Sequence, residues 1–313
     1  MKKIMILADA TCDLDEELCK SADVRLIPGH IRMPNGTDVT GMPGWDGGTA
    51  EAFYAALKQA PNDYSTSPAN VREFEQAFTD LVLAGCDVLL LTISSGISGA
   101  YDFARQARQN VLKTYPEADI RVVDSLRFGP GFGLMTLHAA ALRDQGKSLN
   151  EIEKYLEENK NRYHQAGWLD DLSFVAKKGR LTHAKAFFGT LAGVKPIGEF
   201  DYNGLTTVIG KVKGAKTAYA ALLNYIEKTI EAPETQTIFI AQTNRRKEAE
   251  EYRRLIEERF HPKEIYVKDV YPLCGINIGP GLMAAYYVGK PISHGLEQER
   301  RILEDYLNGG ENA

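Results

Sequence analysis

Apolar residues in this chain come in short, nearly unbroken runs, and small polar residues follow each run. Asp87-Val-Leu-Leu-Leu-Thr-Ile93 is branched and continuously hydrophobic, as a strand buried on both faces reads. Three serines and two glycines then occupy Ser94 to Gly99, and Phe103, Ala104, Ala107 and Val111 recur at helical spacing. The stretch predicts strand, polar turn, helix. Lys3 to Ala8 and Ile120 to Asp124 predict two further strands, the first ending in the polar cluster Asp9-Ala-Thr-Cys-Asp13.

Helices fall between them. Thr49 precedes a helical pattern through Phe53, Ala56 and Leu57. Asn70 and Glu73 have capping-box spacing ahead of Phe74, Phe78, Leu81 and Val82. Ser148 and Glu151 cap a charged helix expected to run to about His164. Residues 29–48 read as a long Gly/Pro loop. Strand and helix alternate up to this point, which predicts a mainly parallel sheet covered on both faces.

The rhythm then changes. Val194 to Phe200 and Leu205 to Gly210 flank Asp201-Tyr-Asn-Gly204, a hairpin signal. Asp170 to Arg180 leads into an Ala/Phe-rich helix. Helices are expected over Lys216 to Ile230 and Arg245 to Phe260, with strands over Thr237 to Ala241 and Glu264 to Val270. Ile276 to Gly281 reads as opening a helix through Leu282, Ala285 and Tyr286. The expected layout is an α/β domain over residues 1–165, an α+β domain over 166–292, and a polar tail over 293–313 that can form a helix around Glu297 to Leu307.

Composition narrows the function classes. At 313 residues the chain suits two domains. Thirty-seven basic against 42 acidic side chains leave a net charge of -5, and without a long basic stripe nucleic acid is not the expected partner. Lys2-Lys3 precedes too short an apolar run for a signal peptide. No run is long enough to span a bilayer. The cysteines, Cys12, Cys19, Cys86 and Cys274, lack metal-ligand spacing, so a reduced cytoplasmic protein without metal or cofactor is expected.

The candidate chemistry centres on the serine turn. A strand end meeting a helix start offers hydroxyls and free backbone N–H groups in a partial positive potential, which suits a carboxylate or phosphate. The same residues also suit ordinary capping. Ser65, Thr66 and Ser67 stand just before another helix start. A hydrolase reading of Ser98 fails on spacing, because Gly96-Ile-Ser98-Gly99-Ala100 misses the second glycine of a nucleophile elbow. His138, His164 and His183 are each more often structural than catalytic. Asp170-Asp171 reads as a loop stabiliser rather than a metal site. Gly129-Pro-Gly-Phe-Gly133 lacks the spacing of a nucleotide loop. Arg180, beside Gly179, can present its planar fork to a carboxylate or stand as a surface cation with Lys177 and Lys178.

Asp9-Ala-Thr-Cys-Asp-Leu14, Thr66-Ser67, Ile93 to Tyr101, Val123-Asp-Ser125, Lys177-Lys-Gly-Arg-Leu181, Val194-Lys-Pro-Ile197 and Gly279-Pro-Gly281 follow one another in an order that resembles the DegV family, from Met1 to about Pro291. The resemblance implies a two-domain α/β protein with a fatty-acid tunnel at the domain junction and no covalent chemistry of its own. It implies a likeness to the bacterial FakB lipid carriers, which present the bound carboxylate to a separate kinase subunit for conversion to acyl phosphate. Thr66, Ser94 and Ser95 would hold the carboxylate, while Arg180 and Asn277 would face the head group or the partner. Phe187, Phe188, Leu191 and Ile278 suit a tunnel lining and a core equally. No stable membrane insertion is implied, and transient contact with a membrane surface is compatible.

The chain also departs from that pattern. Thr66-Ser-Pro-Ala-Asn70 stands where the family commonly has Thr-Ser-Gln-Pro-Ser, Asn277 where many carriers have His, and Ala8 and Ala10 where Ser and Thr are usual. Asn277 can hydrogen-bond but cannot shuttle a proton near neutral pH. Two alternatives stay open on the residues alone: a small-molecule transferase or hydrolase using the same pocket, and a lipid sensor that meets no kinase.

Overall fold

We analysed a computed structural model that describes residues 2–181 and 193–309. The chain divides into two compact units that interleave in sequence. The first comprises the chain up to Asp46, Asn62–Lys160 and Tyr271–Cys274; the second comprises Gly47–Pro61, Asn161–Val270 and the chain from Gly275 onward. A division into consecutive stretches does not contain the two short exchanged segments.

In the first unit, β1 (Ile4–Asp9), β2 (Val24–Ile27), β6 (Asp87–Thr92) and β7 (Ile120–Asp124) form one parallel sheet in the order β2-β1-β6-β7. Four helices, α3 (Val71–Leu83), α4 (Ala100–Thr114), α5 (Pro130–Asp144) and α6 (Leu149–Asn159), sandwich it. Val88 and Leu90 of β6 pack with Phe74, Phe78, Ala104 and Ala107. Leu89 and Leu91, equally buried, point to the other face. Burial on both faces is why β6 carries no polar alternation. Phe103, placed by spacing on the buried face of α4, is instead 39% exposed; the buried positions are Ala100, Ala104, Ala107 and Val111.

The expected loop over residues 29–48 contains structure. β3 (Gly29–Arg32) and β4 (Asp38–Gly41) form a hairpin, with β5 (Ser65–Ser67) on the other edge of β3. Its turn closes with Met33 N–H on Thr37 C=O at 2.8 Å. β4 is exposed along most of its length, so no hydrophobic alternation marked it. α1 (Glu16–Ser21) joins β1 to β2 and packs against β2.

The second unit holds a six-stranded sheet in the order β10-β9-β8-β13-β11-β12, built from β8 (Tyr163–Leu169), β9 (Val194–Phe200), β10 (Thr206–Lys213), β11 (Thr237–Gln242), β12 (Glu264–Asp269) and β13 (Leu282–Val288). β11 and β12 are parallel and the other pairings antiparallel. The expected β9–β10 hairpin is present, with Asp201 Oδ1 accepting from Asn203 and Leu205 N–H. α8 (Ala215–Thr229), α9 (Arg246–Phe260) and α11 (Glu297–Gly309) supply Leu222, Tyr252, Ile256 and Leu303 to its core. The short helices α2 (Ala50–Gln59), α7 (Ser173–Lys177) and α10 (Pro272–Ile278) complete the described elements. The division between units falls inside α10, after Cys274.

Two expectations are corrected here. The helix capped by Ser148 ends at Asn159, and His164 lies in strand β8. Residues 282–288 are strand β13 rather than a helix. β8 is buried throughout and β13 nearly so, so neither alternates. They also approach closely: a Cβ on Gly167 would lie 2.4 Å from the Cβ of Ala284. Small residues placed for that approach mimicked helix-forming alanines. The helix expected after Arg180 lies outside the described residues.

Candidate functional site

Strand order in the first unit reverses at β1. The chain passes from β1 to β2 on one side, whereas β6 pairs on the other. Where neighbouring parallel strands send their connections in opposite directions, a crevice opens at their carboxyl ends. β1 ends at Asp9, β6 at Thr92 and β7 at Asp124, so the serine turn lies at that edge.

Asp9 fastens two of those ends together. Its Oδ1 accepts from Thr11 N–H at 3.0 Å and from the Thr11 hydroxyl, and its Oδ2 accepts from Ile93 N–H at 2.7 Å. Burial raises its pKa above the ordinary 3.8, and the hydrogen bonds from Thr11 and Ile93 oppose the rise. Asp124 fastens the third end, its Oδ1 accepting from Ser95 and Leu126 N–H at 3.1 Å each.

Of the N–H groups expected to be free here, those from Ile93 to Ser98 are engaged. Ile93 donates to Asp9, Ser94 to Arg127 C=O at 2.9 Å, Ser95 to Asp124, and Gly96 to Ser94 Oγ at 3.1 Å. Ile97 and Ser98 both donate to Ser94 C=O. From Ile93 to Ser98 the turn is a closed hydrogen-bonded frame, while Gly99, the N-cap of α4, supplies no side-chain cap. Ser94 is fully buried and Ser95 exposed. The Ser95 hydroxyl makes no hydrogen bond among the described residues. The Ser98 hydroxyl accepts from Ala100 N–H at 3.3 Å, a capping role.

Thr66 sits in β5 opposite Ile31. Paired residues share a sheet face, so Thr66 shares the face of buried Ile31, while Ser65 and Ser67 are exposed. The expected capping box follows: Asn70 Oδ1 accepts from Arg72 and Glu73 N–H, and Glu73 Oε2 accepts from Asn70 N–H at 2.7 Å. Glu73 also lies 2.9 Å from His30 Nε2.

Arg180 and Asn277 belong to the second unit. Arg180 is exposed, its N–H donating to Val175 C=O at 3.0 Å and its guanidinium to Lys178 C=O. Asn277 is half-buried on α10, next to buried Ile278. Asp171 stabilises its loop, accepting from Ser173 N–H at 2.8 Å. Asp170 pairs with both Lys195 and Arg245, which gives the Lys of Val194-Lys-Pro-Ile197 a structural partner. Phe187, Phe188, Leu191 and His183 lie outside the described residues. No group of three or more metal-ligating side chains occurs among the described residues, and no described helix is long and apolar enough to cross a membrane.

Arg127 escaped the sequence reading. It follows Asp124-Ser-Leu126 on the loop to α5 and is 2% exposed. The only signal was its position just after a strand end, and an arginine in a polar loop ordinarily reads as a surface cation.

The profile of an uncharacterised protein family, DegV, matches residues 3–290. A DegV domain-containing protein of Clostridium perfringens is 32% identical over 289 residues, covering 92% of this chain and 98% of that one. A Bacillus subtilis structure named as DegV, a fatty acid binding protein, shares 25% identity with a TM-score of 0.77 over 93% of this chain and all of its own. The B3 protein of Streptococcus pneumoniae fatty acid kinase, loaded with linoleic acid, has a TM-score of 0.76 at 20% identity, covering 92% of this chain and all of its own. A Thermus thermophilus DegV family structure, described for fatty acid binding, has a TM-score of 0.82 at 23% identity over 93% of this chain and all of its own. These last two likenesses show the fold: two α/β units with a parallel sheet. The chain belongs to the DegV family.

Proposed function

We propose that this chain binds one long-chain fatty acid and holds its carboxylate with hydroxyls at the carboxyl edge of the parallel sheet, Ser95 and Ser94 on the serine turn and Thr66 on β5. The observation that carries the reading is the closed frame of the turn: its N–H groups hold the loop rigid, and the Ser95 hydroxyl stands outside that bonding. The Ser94 hydroxyl accepts from Gly96 N–H at 3.1 Å. Fatty-acid binding by the Bacillus subtilis relative supports the ligand class. Each methylene withdrawn from water contributes roughly 0.8 kcal/mol, so a long acyl chain offsets desolvation of the head group. Binding without covalent chemistry suits a site whose Ser98 hydroxyl is engaged in capping.

The test is fatty-acid binding by delipidated full-length protein. A Thr66→Ala, Ser95→Ala double variant is expected to stay folded and to bind about tenfold more weakly or worse, since each hydrogen bond to a charged group contributes about 1.5–3 kcal/mol. Unchanged affinity would place the head group elsewhere. The partner we propose is a fatty acid kinase subunit that meets Arg180 and Asn277. With that subunit and ATP, Asn277→His is expected to form more acyl phosphate than the wild type; equal yields argue against a role for position 277.

A further inference from the structure

We infer that Arg127 is the cation that recognises the ligand's carboxylate and makes the site selective for an ionised acid over a neutral lipid of the same length. The inference rests on the fatty-acid reading above and adds to it the source of the positive charge. Arg127 is the one buried lysine or arginine among the described residues. It is built into the serine turn, its C=O accepting from Ser94 N–H at 2.9 Å and its own N–H donating to Ser125 Oγ at 3.0 Å. One guanidinium nitrogen, Nη1, donates to Leu126 C=O at 2.6 Å.

Four further observations point the same way. The N–H groups from Ile93 to Ser98 are engaged within the turn, so that stretch of backbone offers an anion no donor of its own. The charged side chains bonded to the turn are otherwise acidic, Asp9 and Asp124, and an anion entering beside them needs a cation. Leu126 adopts a left-handed φ of 51°, which for a residue with a Cβ costs on the order of 1–2 kcal/mol. Asp124 holds it there through Leu126 N–H. Backbone strain fixed by a buried carboxylate and placed directly before a buried arginine is the arrangement expected where a side chain is aimed for a ligand. A guanidinium fork matches a carboxylate bidentately, which an ammonium does not. Thr92, at the end of β6, adds a completely buried hydroxyl whose Oγ1 has no hydrogen-bond partner among the described residues, where a buried hydroxyl ordinarily has one.

The experiment compares a saturated fatty acid with the fatty alcohol of equal chain length on delipidated full-length protein. The wild type is expected to prefer the acid. Arg127→Met is expected to lose about 30-fold in acid affinity with little change for the alcohol, and Arg127→Lys to fall between. A wild type that binds both lipids equally overturns the inference without any variant, as does an Arg127→Met protein that loses affinity for both in the same proportion. A wild type that binds neither lipid overturns the fatty-acid reading, and the inference with it. If Arg127→Met does not fold, the acid-to-alcohol ratio of Arg127→Lys decides: an unchanged ratio overturns the inference.

Discussion

Asp9 shows how much of the site rests on single side chains. It joins the ends of β1 and β6 while fully buried, and its raised pKa has a consequence for stability. The folded state holds the Asp9 proton more tightly than the unfolded chain does, so this group's contribution falls as pH rises from about 3.8 toward the raised value. Asp9→Asn is expected to flatten that part of the pH profile and to cost about 1–3 kcal/mol at neutral pH, because its NH2 would face Ile93 N–H; denaturant titrations across pH read both. In the second unit, Glu199 takes three donors, Gln165 and Phe200 N–H and Tyr225 OH, and lies 3.0 Å from His164 Nδ1. His164 Nε2 faces Lys290 C=O at 2.8 Å. Glu199→Gln turns an NH2 toward donors that the carboxylate now satisfies, and is expected to cost about 1–3 kcal/mol in the same titration. Single residues were unevenly legible in the sequence. Ser94 and Ser95 stood out because an apolar run stopped at them, whereas Arg127 and Glu199 have partners that local pattern does not encode.

Among elements, the starts of α3 and α6 were legible because a capping box is complete within four residues. Ser148 accepts from Glu151 N–H at 3.3 Å, and Glu151 accepts from Ser148 N–H at 2.9 Å. Those Ser148 contacts, aided by Lys147, hold the Glu151 pKa down to about 2, against an ordinary 4.5. Because the folded pKa is depressed, the contribution is present above about 4.5 and disappears as pH falls toward 2. Ser148→Ala is expected to cost about 1 kcal/mol and to speed amide exchange in the first turn of α6, with the difference shrinking at low pH. Strands β8 and β13 were missed for the opposite reason. Buried on both faces and packed at glycine-alanine distance, they carry no period of two, and their identity is fixed by neighbours distant in sequence.

At the scale of the molecule, the alternation of strands and helices was enough to indicate a parallel sheet followed by a different architecture. The interleaving was not legible, because a short segment that leaves its unit and returns leaves no mark on composition. Nor did polarity reveal that the last helix is structural. Leu303 of α11 is 1% exposed and belongs to the core of the second unit, with Ile302, Tyr306 and Leu307 packed against it. Leu303→Ala is expected to cost about 2–5 kcal/mol, seen as a lower Tm for the whole chain.

Tyr271–Cys274 illustrates what interleaving entails for synthesis. Tyr271 N–H donates to Asp13 Oδ1, the Cys274 thiol to Thr11 C=O, and Leu273 fills the space where a Cβ on Gly41 would come within 2.8 Å. All of these contacts lie in the first unit, yet its main body ends at Lys160. A ribosome adding about 5–20 residues per second needs on the order of ten seconds to pass from there to Cys274. Until then the nascent β3–β4 hairpin has no Leu273 beside Gly41.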